Sequence, residues 1–177
     1  MKGLALSTTA LVAAAIMAGT AGAQDGGSVV TKVPVYSWII WGKNQTNARV
    51  SDAGVEGKKA VRVVVPEASG QPGEATAQSA IKGTIPQGSK LRMTVWLKAS
   101  GTAAGEPGRA ILKLKQAKPP YGNLAEQKID VGAEWKAYSL EHVAAQEIPG
   151  GSTNVTLQMS IAPQTIDVGP ASVTIAN

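Results

Sequence analysis

The sequence predicts an all-β fold, either a sandwich or a barrel, and two observations lead to that prediction. Apolar and polar residues alternate along several short segments, with β-branched residues at the inward positions, as in half-buried strands. Clusters of glycine and proline separate these segments, and no stretch of helical length follows the N-terminal region. The 177 residues are 44% hydrophobic and 16% charged, which fits a single folded domain and argues against disorder.

The first residues predict a secretory signal peptide. Lys2 precedes an uncharged stretch centred on residues 10–18, and the small residues Ala21 and Ala23 define a cleavage position. The alternative is a membrane anchor, but Gly, Ser and Thr dilute the stretch relative to a spanning helix of about 20 strongly apolar residues. We therefore expect cleavage after Ala23, a secreted or periplasmic protein, one domain over residues 24–177 and no membrane span.

Strands are predicted along the rest of the chain at residues 36–41, 61–65, 75–81, 91–98, 111–115, 155–161 and 171–175. Segment 91–98 shows the alternation clearly, with Leu91 and Met93 on one face and Arg92 on the other. In segment 36–41, Trp38 and Trp41 occupy even- and odd-numbered positions of the strand and so have opposite parity, which means that they point to opposite faces. Both cannot face the core unless a bulge intervenes. We treat whichever of the two is exposed as a secondary binding candidate.

Four motifs, in this order, carry a resemblance to a known family: GKKAVRVVV at 57–65, PQGSKLRMTVWLKA at 86–99, EWKAY at 134–138 and TIDVGPASV at 165–173. They resemble carbohydrate-binding modules of families four, nine and twenty-two, over nearly all of the chain after the signal peptide. The resemblance implies a jelly-roll β-sandwich of two antiparallel sheets with a glycan bound across a concave sheet face. We expect the module to stand alone here, with no catalytic domain. Gly169-Pro170 departs from the family pattern, in which an Asn commonly follows the Asp.

Outward parity gives the candidate ligand-binding residues. Trp96 is the main candidate because an indole ring can cover the apolar face of a pyranose. Gln78 and Gln158 supply amides for sugar hydroxyls, and Tyr121, at a loop tip after two prolines, is a candidate rim contact. The alternatives are that a loop covers Trp96 as part of a satellite core and that the glutamines belong to an ordinary solvated face.

The basic residues suggest the charge of the ligand. Arg92, Lys98, Lys113 and Lys115 share outward parity, no carboxylate is assigned to their face, and the chain carries a net charge of +5. If their strands adjoin, the face focuses a positive field and predicts an acidic polysaccharide, such as a uronate-containing or sulfated glycan. The alternative is that strand lysines protect an edge against aggregation. No basic run is present, so we expect no binding of nucleic acid.

Composition argues against catalysis. Cysteine is absent, which rules out thiol chemistry and disulfides, and a catalytic dyad or triad that needs histidine would have to use His142, the single histidine. No two carboxylates have the same-face spacing of a glycosidase pair, and no Gly-x-Ser-x-Gly motif occurs. The resemblance implies a structural Ca²⁺ near the closing strand, with Asp167 as one oxygen ligand.

Together these observations predict a secreted, non-catalytic protein that binds a polysaccharide or oligosaccharide on one sheet face. The alternative is a structural or adhesive protein of the cell envelope that uses the sandwich for contacts between proteins. A third interpretation is an accessory subunit that delivers a separate hydrolase to its substrate.

Overall fold

The computed structural model describes residues 27–103 and 105–176, so the predicted signal peptide lies outside the described residues. The fold is a sandwich of two antiparallel sheets, which confirms the predicted fold class. The strands are β1 (Ser28–Val33), β2 (Ile39–Trp41), β3 (Thr46–Ser51), β4 (Lys59–Val65), β5 (Thr76–Ala80), β6 (Lys90–Ser100), β7 (Gly108–Gln116), β8 (Asn123–Val131), β9 (Lys136–Val143), β10 (Thr153–Gln158) and β11 (Gln164–Ala176). Short 3₁₀ turns occupy Val35–Ser37, Glu56–Lys58 and Pro72–Glu74.

The strands divide between a six-stranded and a five-stranded sheet. The six-stranded sheet has the order β3-β4-β11-β6-β9, with β1 also paired to β11. The five-stranded sheet has the order β2-β5-β10-β7-β8. Consecutive strands often belong to different sheets, so the chain crosses repeatedly from one layer to the other. Among the residues described, no helix has the length and apolar character needed to cross a membrane.

The core fills the space between the two sheets with aliphatic side chains. In β6 the inward residues Leu91, Met93, Val95 and Leu97 are each at most 1% exposed. Leu112 from β7, with its neighbours from β5 and β10, meets them from the other sheet. Burying each such side chain contributes about 1.5–3 kcal/mol. The alternation along β6 therefore sets which residues form the core and which remain on the outer face.

Strand β11 lies in the interior of the six-stranded sheet, paired with β1, β4 and β6, and contains a bulge at Gly169 and Pro170. Its pairing with β6 shifts register between Val168 and Ala171, so Pro170 can sit in a long strand although it lacks an N–H. Trp38 is buried, and its Nε1 donates to the Gly169 carbonyl at 2.8 Å. A Cβ on Gly169 would lie 2.9 Å from Val55 and 3.1 Å from Trp96 Cβ. Gly169 is therefore required by close packing.

Candidate functional site

The predicted binding residues lie on two separate surfaces, so the prediction of a single shared face is wrong. Trp96, Arg92 and Lys98 belong to β6 and lie on the outer face of the six-stranded sheet. Gln78, Gln158 and Lys113 belong to β5, β10 and β7, on the outer face of the five-stranded sheet. Parity assigned each residue correctly to an outward position. It carries no information about which strands are neighbours, and the core separates the two faces.

The outer face of the five-stranded sheet brings polar and apolar side chains into two adjacent rows across the strands. Residues in register on neighbouring strands are roughly 5 Å apart. The first row is Trp41, Thr76, Gln158, Ile111 and Lys128. The second row is Ile39, Gln78, Thr156, Lys113 and Glu126. We call these residues the amide face.

Two glutamines at the centre of the amide face have open hydrogen-bonding groups. Gln78 and Gln158 are diagonal neighbours on β5 and β10, and both are partly exposed. Within the described residues, neither side-chain amide has a hydrogen-bond partner. Thr156 lies in register with Gln78 and two residues before Gln158 on β10, and its buried Oγ1 also lacks a partner. Unpaired buried polar groups are uncommon in folded proteins, and these donors and acceptors are suited to the hydroxyl groups of a ligand.

Trp41 provides an aromatic surface at the edge of the same face. Its side chain is 43% exposed, whereas Trp38 is 6% exposed, so the prediction that one of the pair faces solvent is confirmed. Trp41 is in register with Thr76, which is in register with Gln158. The indole and the amide therefore flank one small, buried threonine. Parity identified Trp41 only as one of two alternatives, because the Gly169 carbonyl that holds Trp38 inside is remote in sequence.

A rigid turn supports the Gln158 end of the amide face. In the 3₁₀ turn Pro72–Glu74, the Gly73 carbonyl accepts a hydrogen bond from Thr76 Oγ1 at 2.8 Å. The Pro72 carbonyl accepts one from the backbone N–H of Ser160 at 3.2 Å. A Cβ on Gly73 would lie 3.1 Å from the Gln158 amide nitrogen. Glycine at this position therefore leaves Gln158 the space it needs on the outer face.

The two cations of the amide face differ, since Lys113 is paired whereas Lys128 is exposed at the β8 end of the first row. Lys113 Nζ lies 3.0 Å from a Glu126 carboxylate oxygen across the β7–β8 pair, and its side chain is 13% exposed. Lys115 is partly exposed two residues further along β7. Tyr121 is 55% exposed on the loop that joins β7 to β8, beyond Lys115 and outside the two rows. Its role as a rim contact stays a prediction.

The outer face of the six-stranded sheet is a network of ion pairs, so the prediction of a basic face without carboxylates is wrong. Arg92 Nη2 lies 2.7 Å from a Glu141 oxygen, and Lys90 contacts the other oxygen at 2.9 Å. Hydrogen bonds from Arg92 and Lys90 hold the pKa of Glu141 below its ordinary value. Because opposite charges meet in register across β6 and β9, these cations are already satisfied without a ligand.

Lys98 and Asp52 form a second pair on this face. The Lys98 ammonium donates to the Asp52 carboxylate and lies 5.2 Å from the centre of the Trp135 ring. Hydrogen bonds from Lys98 and from the Gly54 N–H lower the pKa of Asp52 to about 2. Trp96 is half-buried beside Gly169. Trp135 and Lys98 thus have intramolecular roles.

The surroundings of Asp167 do not fit a calcium site. Asp167 is 1% exposed, and its two oxygens accept hydrogen bonds from Arg62 at 2.8 and 2.9 Å. The Lys98 ammonium lies 3.8 Å away. Two side-chain cations already neutralise this carboxylate and would repel a metal ion. Over residues 27–103 and 105–176, no group of three His, Cys, Asp or Glu residues could hold a metal. The expected ligand role of Asp167 is therefore not supported.

Comparison with known proteins shows where this fold occurs. No protein-family model matches the sequence. No curated protein matches it. Among solved structures, a CBM4 carbohydrate-binding module matches with a TM-score of 0.59 and 14% identity, over 85% of this chain and 97% of that one. The CBM22-1 xylan-binding domain from Paenibacillus barcinonensis Xyn10C matches with a TM-score of 0.58 and 10% identity, over 85% and 96% of the two chains.

The same fold also occurs inside larger enzymes. An arabinose-bound MgGH51 α-L-arabinofuranosidase matches with a TM-score of 0.59 and 15% identity, over 86% of this chain but 27% of that one. The chain described here thus has the β-sandwich fold of carbohydrate-binding modules. That fold is found both as a separate domain and as one part of an enzyme chain.

Proposed function

We propose that this protein is a secreted, non-catalytic carbohydrate-binding protein that binds a polysaccharide on the amide face. The observation that carries the proposal is the exposed Trp41 ring beside two unpaired amides, Gln78 and Gln158. An aromatic ring packs on the C–H face of a sugar, while planar amides both donate to and accept from its hydroxyls. The shared fold of carbohydrate-binding modules supports this assignment.

Neutral groups dominate the proposed recognition. The central contacts are an indole, two amides and the buried Thr156 hydroxyl, and Lys113 is paired with Glu126. Binding at this face should therefore depend only weakly on salt, because screening acts on charges rather than on stacking or amide hydrogen bonds. A ligand that required Arg92 or Lys98 would have to displace Glu141 or Asp52.

The proposed location rests on the N-terminal sequence. The uncharged stretch behind Lys2 and the small residues at Ala21 and Ala23 support export and a secreted or periplasmic protein. The test is the N-terminal sequence of the protein recovered from culture medium or periplasm. A mature N-terminus at Gln24 is expected, and a protein retained in the cytoplasm with its leader intact would contradict the proposal.

Binding is tested by affinity electrophoresis in gels that contain xylan, mannan, β-glucan, pectin or alginate. We expect retardation by at least one polysaccharide, and at least about a ten-fold weaker apparent affinity in the double variant Gln78→Ala, Gln158→Ala, since two sets of hydrogen bonds are removed. Gln127→Ala is the matched control because Gln127 is an exposed glutamine on β8, outside both rows.

Three outcomes separate the interpretations. Retardation lost in the double variant and kept in Gln127→Ala supports the amide face. Equal retardation of all variants would show that the polysaccharide binds outside the amide face. If no polysaccharide retards the native protein, the carbohydrate-binding proposal fails, and self-association measured by ultracentrifugation would then favour the structural or adhesive alternative.

A further inference from the structure

A cleft opens at an edge of the six-stranded sheet, separate from the amide face. Strands β1 and β4 pair with successive parts of β11, and Gly169 and Pro170 fall between the two pairings. The cleft at this gap has a volume of about 620 Å³, which is within the range of small-ligand sites. Its lining includes Pro34, Tyr36, Arg49, Glu56, Lys59 and Pro170. We call it the edge cleft.

Two cations on adjacent strands flank the edge cleft. Arg49 pairs with Val61, and Lys59 pairs with Ser51, so Arg49 and Lys59 are diagonal neighbours on one side of the β3–β4 pair. Such positions are roughly 7–8 Å apart. Both residues are exposed, and within the described part of the chain neither has an ion-pair partner. Like charges at this separation repel each other, and an anion between them would relieve the repulsion.

An exposed aromatic ring faces solvent at the same cleft. Tyr36 is 72% exposed, although it lies within a compact 3₁₀ turn. The Ser37 N–H donates to the Pro34 carbonyl at 2.8 Å, and Trp38 is anchored to Gly169 immediately after the turn. The backbone that carries Tyr36 is therefore fixed at both ends. A ring presented in this way loses little conformational entropy when it packs on a ligand.

The carboxylate in the lining adds a hydroxyl acceptor. Glu56 begins the 3₁₀ turn Glu56–Lys58 and lines the cleft together with Arg49 and Lys59. A ligand that satisfied all three groups would carry one negative charge, several hydroxyls and an apolar face for Tyr36. Phosphate and sulfate ions lack the apolar face, and neutral sugars lack the charge.

We propose that the edge cleft is a second carbohydrate site, one that binds a uronate residue through its carboxylate. Arg49 and Lys59 hold the carboxylate, Tyr36 packs on the ring, and Glu56 accepts a hydrogen bond from a hydroxyl. The choice of a sugar acid over other organic anions rests on the proposed carbohydrate-binding function. The two sites would let the protein bind polysaccharides that contain both neutral and acidic residues.

Isothermal titration with trigalacturonate, triguluronate and triglucuronate tests the proposal, with galactotriose as the neutral counterpart. We expect at least one oligouronate to bind and galactotriose to bind at least about ten-fold more weakly, because charge-assisted hydrogen bonds are the stronger ones. The double variant Arg49→Gln, Lys59→Gln should lose at least about ten-fold in affinity for that oligouronate. Lys32→Gln, Lys82→Gln is the charge-matched control at exposed positions outside the cleft.

The variants also separate this site from the amide face. Gln78→Ala, Gln158→Ala should bind the oligouronate with unchanged affinity, and raising NaCl from 50 to 500 mM should weaken that binding several-fold. If no oligouronate binds while a neutral polysaccharide retards the native protein, the edge-cleft proposal is overturned and the proposed function stands. Oligouronate binding that the amide-face variant abolishes would also overturn it, as would equal losses in the cleft and control variants.

Discussion

The two outer faces of the sandwich are built from similar outward-facing polar residues and use them in opposite ways. On the six-stranded sheet, Arg92 meets Glu141 and Arg62 meets Asp167 in register across the strands, so charge is satisfied within the protein. On the five-stranded sheet, Gln78 and Gln158 meet threonine or isoleucine in register on either side, and their amides are left open. Outward polarity alone therefore does not identify a binding residue.

The largest stability effect should come from breaking the ion pair at Asp167. Asp167→Ala leaves Arg62 and Lys98 without their shared buried carboxylate. We expect a loss of about 3 kcal/mol, at the low end of the range for broken buried pairs because the Arg62 side chain is 43% exposed. Urea denaturation measures it. Polysaccharide binding at the amide face should be unchanged. If the Asp167→Ala protein is folded but binds polysaccharide more weakly than the native protein, the two faces are not independent.

A smaller effect is expected where the amide face meets its supporting turn. Gly73→Ala places a methyl group 3.1 Å from the Gln158 amide nitrogen. Gln158 should shift, and polysaccharide affinity should fall by about three- to ten-fold with a stability change under about 1 kcal/mol. Gly132→Ala is the control, since a Cβ there meets nothing within 4 Å. Equal affinity in the two variants would mean that the position of Gln158 does not matter for binding.

A pH-dependent effect on stability is expected from Asp52 on the six-stranded face. The folded-state pKa of Asp52, about 2, lies below its ordinary value of 3.8. Ionised Asp52 therefore favours the folded state above about pH 4, and this contribution is lost as the pH falls towards 2. Lys98→Met removes the main cause and should flatten that part of the stability curve, measured by thermal unfolding at each pH. Lys115→Met should leave the curve unchanged, and identical curves for both variants would contradict the assignment.

The smallest effect on stability should come from chelating free calcium. Since Arg62 and Lys98 neutralise Asp167, we expect 5 mM EGTA to shift the melting temperature by less than about 1 °C relative to 5 mM CaCl₂. Magnesium is the control for a general effect of divalent ions. A specific rise with calcium would show that another group of oxygens holds the ion.

The sequence predicts which side chains face the core better than it predicts the order of the strands within each sheet. Alternation along residues 91–98 predicts which side chains of β6 are buried, because parity is local. The neighbours of β6 are β11 and β9, and no local pattern indicates them. The single-face prediction failed for this reason, and the ion pairs that Glu141 and Asp167 form with the basic residues of this face were missed for the same reason. The edge strands β3 and β8 were also missed, since their exposed residues blur the alternation.

The amide face, and not the face that carries Trp96, is the proposed polysaccharide-binding surface. The most direct measurement compares Trp41→Ala with Trp96→Ala in one affinity gel, using the polysaccharide that retards the native protein. Both variants are first shown to be folded by thermal unfolding. We predict that Trp41→Ala loses at least about ten-fold in affinity through lost stacking, while folded Trp96→Ala keeps native affinity. Loss of binding in Trp96→Ala with native binding in Trp41→Ala would contradict the account.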